Sequence, residues 1–260
     1  MTAERELPPY RALLVVDTKG FGSNSDAEQG VLAAMVPDVL AQAFERAGLG
    51  EVWQNALFPH GTGDGYGVGF EPRFLPAVVS KLFDALENVL AERDARLRAT
   101  SRYLRMRMRA SLNVGPIRQA DGESSAVAIG AAVITTHRLL DSAPVRDVLA
   151  QSDPDQTFLS VVLSQRIFED VLSSGFATLP KSRVVPADVE VKEYRGTVYL
   201  YVPNPSGDLL RTGIGKEYEK KLAATEEARG EGTTNVISEM HGGTAIQIGR
   251  VHGNVHHSGS

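Results

Sequence analysis

The sequence predicts an α+β fold, with helices packed on a mostly antiparallel sheet. Three observations lead there. Short apolar or alternating runs of strand length recur from Arg11 to Val202. Two pairs of such runs meet across tight turns and read as hairpins. Longer stretches with apolar residues at helical spacing separate them, without strict βαβ alternation, so a wholly parallel sheet is not expected.

Arg11 to Asp17 reads as a buried strand around Leu13-Leu14-Val15-Val16, running into the glycine-rich turn Thr18-Lys19-Gly20-Phe21-Gly22. Ser23 to Asp26 offers capping side chains. Ala27 to Ala47 then carries Val31, Leu32, Met35, Val39, Leu40, Ala43 and Phe44 at helical spacing, and Gly48-Leu49-Gly50 ends that helix. Val52 to Phe58 leads into His60-Gly61-Thr62-Gly63-Asp64-Gly65-Tyr66-Gly67-Val68-Gly69-Phe70, a glycine-dense hairpin with one carboxylate at its tip. A helix is expected from Pro72 to about Arg98. Tyr103 to Val114 alternates apolar residues against Arg105, Arg107, Arg109 and Ser111, a strand with one apolar and one basic face. No aromatic residues interleave with those arginines and the net charge is −5, so the basic face is expected to be solvated or interface-pairing, not a nucleic-acid surface.

Gln119 to Ser125 reads as a polar loop, Ala126 to Ile129 as a short strand, and a helix is expected to run on through about Ala150. Thr157 to Leu163 reads as a strand, Gln165 to Ser173 as a short helix and Val184 to Val202 as a closing hairpin. The expected organisation is a loose arm at 1–9, a globular domain at 10–203, a linker at 204–240 with a weakly amphipathic charged stretch from Lys216 to Arg229, and a tail at 241–260 rich in glycine and histidine. Pro203 to Gly213 reads as loop.

With 42% hydrophobic and 23% charged residues the chain has material for a full core. It contains no cysteine, which excludes disulfides, thiolate zinc sites and a cysteine nucleophile and fits a cytoplasmic protein. No apolar run approaches the length of a membrane span, so no membrane partner is expected. His241, His252, His256 and His257 lie in the tail without carboxylate or cysteine company and do not read as a zinc site. The informative chemistry is elsewhere. Asp17 and Asp64 each sit at the end of a strand beside flexible glycine backbone, which suits hard cations held through oxygen and phosphates held by main-chain amides.

Asp17-Thr18-Lys19-Gly20-Phe21 after an apolar strand, followed by Gly63-Asp64-Gly65, resembles the catalytic domain of class III nucleotidyl cyclases. The similarity continues at Arg107 to Pro116, at the Ile129 to Arg138 stretch and at the Val191 to Tyr199 hairpin, in the family's order across roughly residues 10 to 202. The resemblance implies a cyclase-like, ferredoxin-like palm. It also implies two Mg²⁺ or Mn²⁺ ions on Asp17, Asp64 and the Thr18 main chain, and phosphate contacts from Thr18, Lys19, Gly20, Phe21 and Gly22. Lys192 matches the family's triphosphate lysine, and Arg138 the arginine that stabilises charge in the transition state. The family draws one site from two subunits, which implies a head-to-tail homodimer with an inactive monomer.

Departures from the family pattern set further expectations. His60 stands in place of the base-reading lysine, Ala131 in place of the base-reading aspartate and Ile134 in place of the ribose-orienting asparagine. Either a smaller base is read by His60, Tyr66, Thr135 or main chain, or no base is read at all, and UTP or CTP is favoured over ATP or GTP. In this the chain resembles bacterial pyrimidine cyclases of Pycsar antiphage systems, which make cyclic UMP or CMP as second messengers. The alternative reading is an inactive cyclase-homology domain serving as a nucleotide-binding or scaffold module. The tail from Thr244 to His256, with Ile246-Gln247-Ile248-Gly249 and Asn254, resembles the RIP homotypic interaction motif and related amyloid signalling motifs, which implies a partner sharing such a motif.

Overall fold

Strand β1 (Tyr10–Thr18) is the axis of the domain, because its apolar run is covered on both sides. Ala12, Leu14 and Val16 face one core and Leu13 and Val15 another. A computed structural model describes residues 6–101, 103–119 and 127–215; the charged stretch from Lys216 and the tail motif at 244–256 lie outside the described residues. β1 pairs antiparallel with β3 (Gly65–Phe70) on one side and β4 (Met108–Pro116) on the other. The sheet has seven strands in the order β2-β3-β1-β4-β7-β9-β8, adding β2 (Leu57–Gly61), β7 (Leu159–Ser164), β8 (Val184–Val191) and β9 (Tyr194–Tyr201). Among the described residues only the β4–β7 pair is parallel. A two-stranded ribbon, β5 (Arg118–Gln119) with β6 (Ala128–Ile129), stands apart from it. The expected α+β class with a largely antiparallel sheet is the one observed.

Helices cover both faces. On the first lie α1 (Asp26–Arg46), opened by a reciprocal Ser25–Glu28 capping box, and α4 (Phe83–Thr100). Leu32, Val36, Leu40 and Phe44 of α1 and Leu86, Val89 and Leu90 of α4 pack with Leu14 and Val16 of the sheet. On the second face lie α5 (Ala131–Leu140) and α6 (Ala143–Gln151), with Leu139, Val145 and Val148 against Val162, Val198 and Leu200.

Several elements differ from expectation for local reasons. Gly50 starts a further short helix, α2 (Gly50–Gln54), and does not merely end α1. The Pro72–Arg98 helix arrives in pieces: a 3-10 turn at Pro72–Phe74, α3 (Leu75–Ala77), a π segment at Val78–Leu82 and then α4. The helix expected through Ala150 is two helices, since Pro144 sits in the first turn of α6 and has no N–H to continue an earlier ladder. The basic-faced strand starts only at Met108, because the buried Asp94 carboxylate takes the Met106 N–H (2.9 Å) ahead of it. The Gln165–Ser173 helix divides into α7 (Gln165–Ile167) and a π segment at Phe168–Ser173. Pro203–Gly213, expected as loop, contains α8 (Asp208–Thr212), whose Leu209 is buried in the second-face core.

Candidate active site

The β1–β3 register brings the two sequence-predicted aspartates together. Asp17 is opposite Gly65, so Asp64, one residue earlier, lies beside Thr18, and the Thr18 N–H donates to the Asp64 carbonyl at 2.8 Å. Thr62 Oγ1 donates to Asp64 Oδ1 (3.1 Å) and steadies the hairpin tip. Burial pushes the Asp17 carboxyl above its usual range; the Arg109 guanidinium opposes that shift and the nearby Asp64 charge adds to it. Two carboxylates in mutual repulsion at a strand end are a donor set that a divalent cation would relieve. Mg²⁺ characteristically takes one or two carboxylates and completes its shell with water and phosphate oxygens, so Asp17 and Asp64 suffice on the protein side.

Arg109 was not among the site residues singled out by sequence, yet it is the group paired with Asp17. On β4 it lies directly opposite Asp17 and holds that carboxylate in a two-pronged pair, Nε to Oδ1 at 2.8 Å and the second nitrogen to Oδ2. The alternating arginines of the strand were the available signal, and their reading as a solvated face is corrected here. α5 and α6 cover that face. Arg107, 6% exposed, donates to the carbonyls of Thr157 and Leu149 (both 2.8 Å) and to Ser152 Oγ (2.7 Å). Arg105 pairs with Asp94 and Asp155. The face is basic because β4 and the segment leading into it carry the pairing and capping groups of the α6 end, not because it meets solvent.

The turn after β1 is held by its own backbone. Gly20 adopts a left-handed conformation (φ 74°), and Ser23 and Asn24 side chains donate back to its carbonyl. Lys19 N–H donates to the Arg107 carbonyl (2.8 Å), while Lys19 Nζ reaches the Leu149 carbonyl at 3.4 Å. Thr18 is 3% exposed and its Oγ1 has no hydrogen-bond partner among the described residues; Phe21 packs against the first-face core, and Gly22 is exposed. Gly20 to Gly22 thus form a turn whose first helical amides have no intrahelical acceptor.

His60 lies on β2 with Nδ1 against the Phe58 carbonyl (2.8 Å) and its ring laid across Gly67, where any Cβ would meet Cε1 at 2.2 Å. Its ring is 6.3 Å from that of His137 on α5; burial lowers the His137 pKa, and the neighbouring His60 lowers it further. Tyr66, grouped with His60 on sequence, does not join it. Successive strand residues point to opposite faces, and Tyr66 packs on Trp53 (5.7 Å) in the first-face core. Thr135 is half-buried on α5 and Ile134 is 54% exposed beside it.

The remaining predicted residues sit elsewhere on the chain. Arg138 turns to Glu193, with which it forms an ion pair. Lys192, in the β8–β9 turn, is exposed with a positive φ of 54°. Arg109 is level with Ser160 of β7, whereas the β8–β9 turn lies beyond Val198, paired with Ser164 at the other end of β7. One chain therefore gathers Asp17, Asp64, Lys19 and Arg109 at one sheet end and Lys192 with Arg138 near the other hairpin. Among the described residues no helix is long and apolar enough to cross a membrane, and no group of three or more His, Cys, Asp or Glu is arranged to hold a metal.

No family model matches this chain, and no curated protein sequence does. Solved structures do. The adenylyl cyclase CyaB from P. aeruginosa is similar over 74% of this chain and 92% of its own, at 15% identity and a TM-score of 0.50. A bacterial light-regulated adenylyl cyclase is similar over 83% of this chain and 59% of its own, at 13% identity and a TM-score of 0.50. The guanylyl cyclase Cya2 is similar over 76% and 92%, at 18% identity and a TM-score of 0.48. The seven-stranded sheet with helices on both faces is thus the fold of class III cyclase domains.

Proposed function

We propose that this chain is a nucleotidyl cyclase that joins the 3′-oxygen of a nucleoside triphosphate to its α-phosphorus and releases pyrophosphate. The observation that carries the reading is the pairing of Asp17 with Asp64, fixed by the Thr18–Asp64 backbone bond at the end of β1, within a fold that cyclase domains adopt. Asp17, Asp64 and the Thr18 carbonyl would hold two Mg²⁺ or Mn²⁺ ions, which supply a lowered pKa for the attacking hydroxyl and neutralise phosphate charge.

The chain's own groups do the rest. Arg109 would share Asp17 with the cation bound there, and its guanidinium, held beside Asp17, would meet the phosphates of a bound nucleotide. Arg138 lies near the β8–β9 hairpin, away from Asp17 and Asp64 of its own chain, which supports a role at the aspartates of a second copy in a head-to-tail homodimer. Lys192 belongs to the same donated set. His60 and His137 flank the region left for the base, with Thr135 on the adjoining helix. Ala131, the first residue of α5, offers no carboxylate to a base, and with His60 this supports a pyrimidine, UTP or CTP, as the substrate. Cyclic UMP or CMP made this way would serve as a second messenger in antiphage defence, with the 244–256 tail recruiting a protein of like motif.

A specific observation favours the second reading, a nucleotide-binding module without turnover. Ile134 presents an exposed apolar side chain where a hydrogen-bond donor to ribose would be needed, a loss worth on the order of 10²-fold in rate. The test is incubation of the full chain with Mn²⁺ and each of the four triphosphates, with products resolved by chromatography and mass spectrometry. A cyclic monophosphate from UTP or CTP that disappears in Asp64→Ala supports the cyclase. Tight triphosphate binding with no product from any of the four supports the module.

A further inference from the structure

The two aspartates at the strand end are not in the same state. Asp64 is half-buried, its carboxylate takes the Thr62 hydroxyl, and among the described residues it forms no ion pair. Asp17 is closed. Arg109, directly across the ladder, donates Nε to Oδ1 at 2.8 Å and a terminal nitrogen to Oδ2, so each carboxylate oxygen already has a cationic donor. Both side chains are largely buried, which leaves the pair little screened by water. A hard divalent cation is held through the same oxygens. Guanidinium and cation cannot both have the pair of them, so a cation at Asp17 removes at least one prong. Asp64 and Asp141 reach Asp17 through their charge, and among the described residues neither bonds to Arg109. The loosened guanidinium would stand beside Lys19, whose pKa its charge already depresses. An arginine parted from its carboxylate in a buried place is costly.

We infer that Arg109 is a latch on Asp17: it holds the carboxylate shut until a divalent cation displaces one of its two bonds, and so sets the metal affinity of the nucleotide-free chain. Asp64 is the open half of the site and receives the cation first. Arg109 acts through Asp17, as a positioning residue whose bond opposes metal entry. Only the naming of the cation as Mg²⁺ or Mn²⁺ rests on the cyclase reading; the contact to be displaced belongs to the chain itself.

The full chain is titrated calorimetrically with manganese chloride in the absence of nucleotide. Arg109→Met keeps the aliphatic stem and cannot donate; it should bind Mn²⁺ at least about tenfold more tightly than wild type, the size of one charge-assisted hydrogen bond. A merely structural role predicts the opposite, since a loosened strand end would weaken the site. Arg109→Lys keeps the charge but cannot fork across both oxygens, and its affinity should lie between the two. Combining Asp17→Asn with Arg109→Met should abolish the gain. Equal or weaker binding by Arg109→Met overturns the inference. So does Arg109→Lys matching wild type, which would reduce the effect to charge alone, or a gain that survives Asp17→Asn. The gain in affinity, with no cyclic product from wild type and any triphosphate, would sink the cyclase reading and leave the latch standing. Cyclic product from wild type without the gain in Arg109→Met would do the reverse.

Discussion

Replacing Glu87 by glutamine should make the protein more stable at alkaline pH and leave it little changed at acidic pH. Glu87 is 4% exposed on α4, and its carboxylate faces the Phe158 N–H at 3.0 and 3.2 Å from its two oxygens. Burial raises its pKa to about 7, against the pull of the Phe158 and Leu159 amides and of Arg107. Between the ordinary value of 4.5 and about 7 the folded chain keeps a proton that the unfolded chain has lost. Stability therefore falls as pH rises through that window, by an upper limit of about 3 kcal/mol at roughly 1.4 kcal/mol per unit. Glutamine cannot ionise, so it removes this loss but gives up part of the acceptor capacity, at a cost of about 1 kcal/mol. In urea titrations at pH 5 and pH 8, the glutamine variant should be equal to or slightly weaker than wild type at pH 5. At pH 8 it should be about 2 kcal/mol stronger. A difference that does not change with pH would refute the buried, proton-holding carboxyl. The contact matters for function because the Phe158 carbonyl takes the Met108 N–H (2.8 Å), one residue before Arg109.

Three further outcomes follow from the same geometry. Arg107→Met takes the buried Arg107 donor from the Thr157 carbonyl and removes its bonds to the Leu149 carbonyl and Ser152 Oγ, which still bond each other, and should cost about 3 kcal/mol of unfolding free energy, read as a lower urea midpoint at unchanged slope. Arg109→Met leaves Asp17 without its partner; product formation should fall by about 10² or more, while isothermal titration still detects Mn²⁺. Gly67→Ala drives the His60 ring aside, so KM for the preferred triphosphate should rise more than kcat falls, and the nuclear magnetic resonance signals of His60 and His137 should shift together.

The sequence made legible whatever depends on local pattern. The apolar run of β1, the helical spacing of α1 and the glycine hairpin around Asp64 each dictate an element whose type survives any packing. Asp17 and Asp64 were legible as a pair because both end strands beside glycines. What was hidden is set by who covers whom. The face of Arg107 and Arg109 alternates like a solvated one, and only the placement of α5 and α6 makes it interior. Tyr66 looks equivalent to His60 until the strand period sends the two to opposite faces. The break at Pro144 carried a local signal, since a proline two residues past a serine is a helix start as much as a helix interruption. The Arg138–Glu193 pair, by contrast, joins residues far apart in sequence and has no local signature.

The claim that matters most is that the aspartates of one copy work with the Arg138 of another. Asp64→Asn and Arg138→Ala, each expected to be inactive alone, should be mixed in equal amounts, allowed to exchange subunits and assayed with UTP and CTP. Random pairing makes half the dimers mixed, and each mixed dimer holds one site free of either change, so about a quarter of wild-type activity should return. No recovery, in a sample where native mass spectrometry shows mixed dimers, would contradict the shared site.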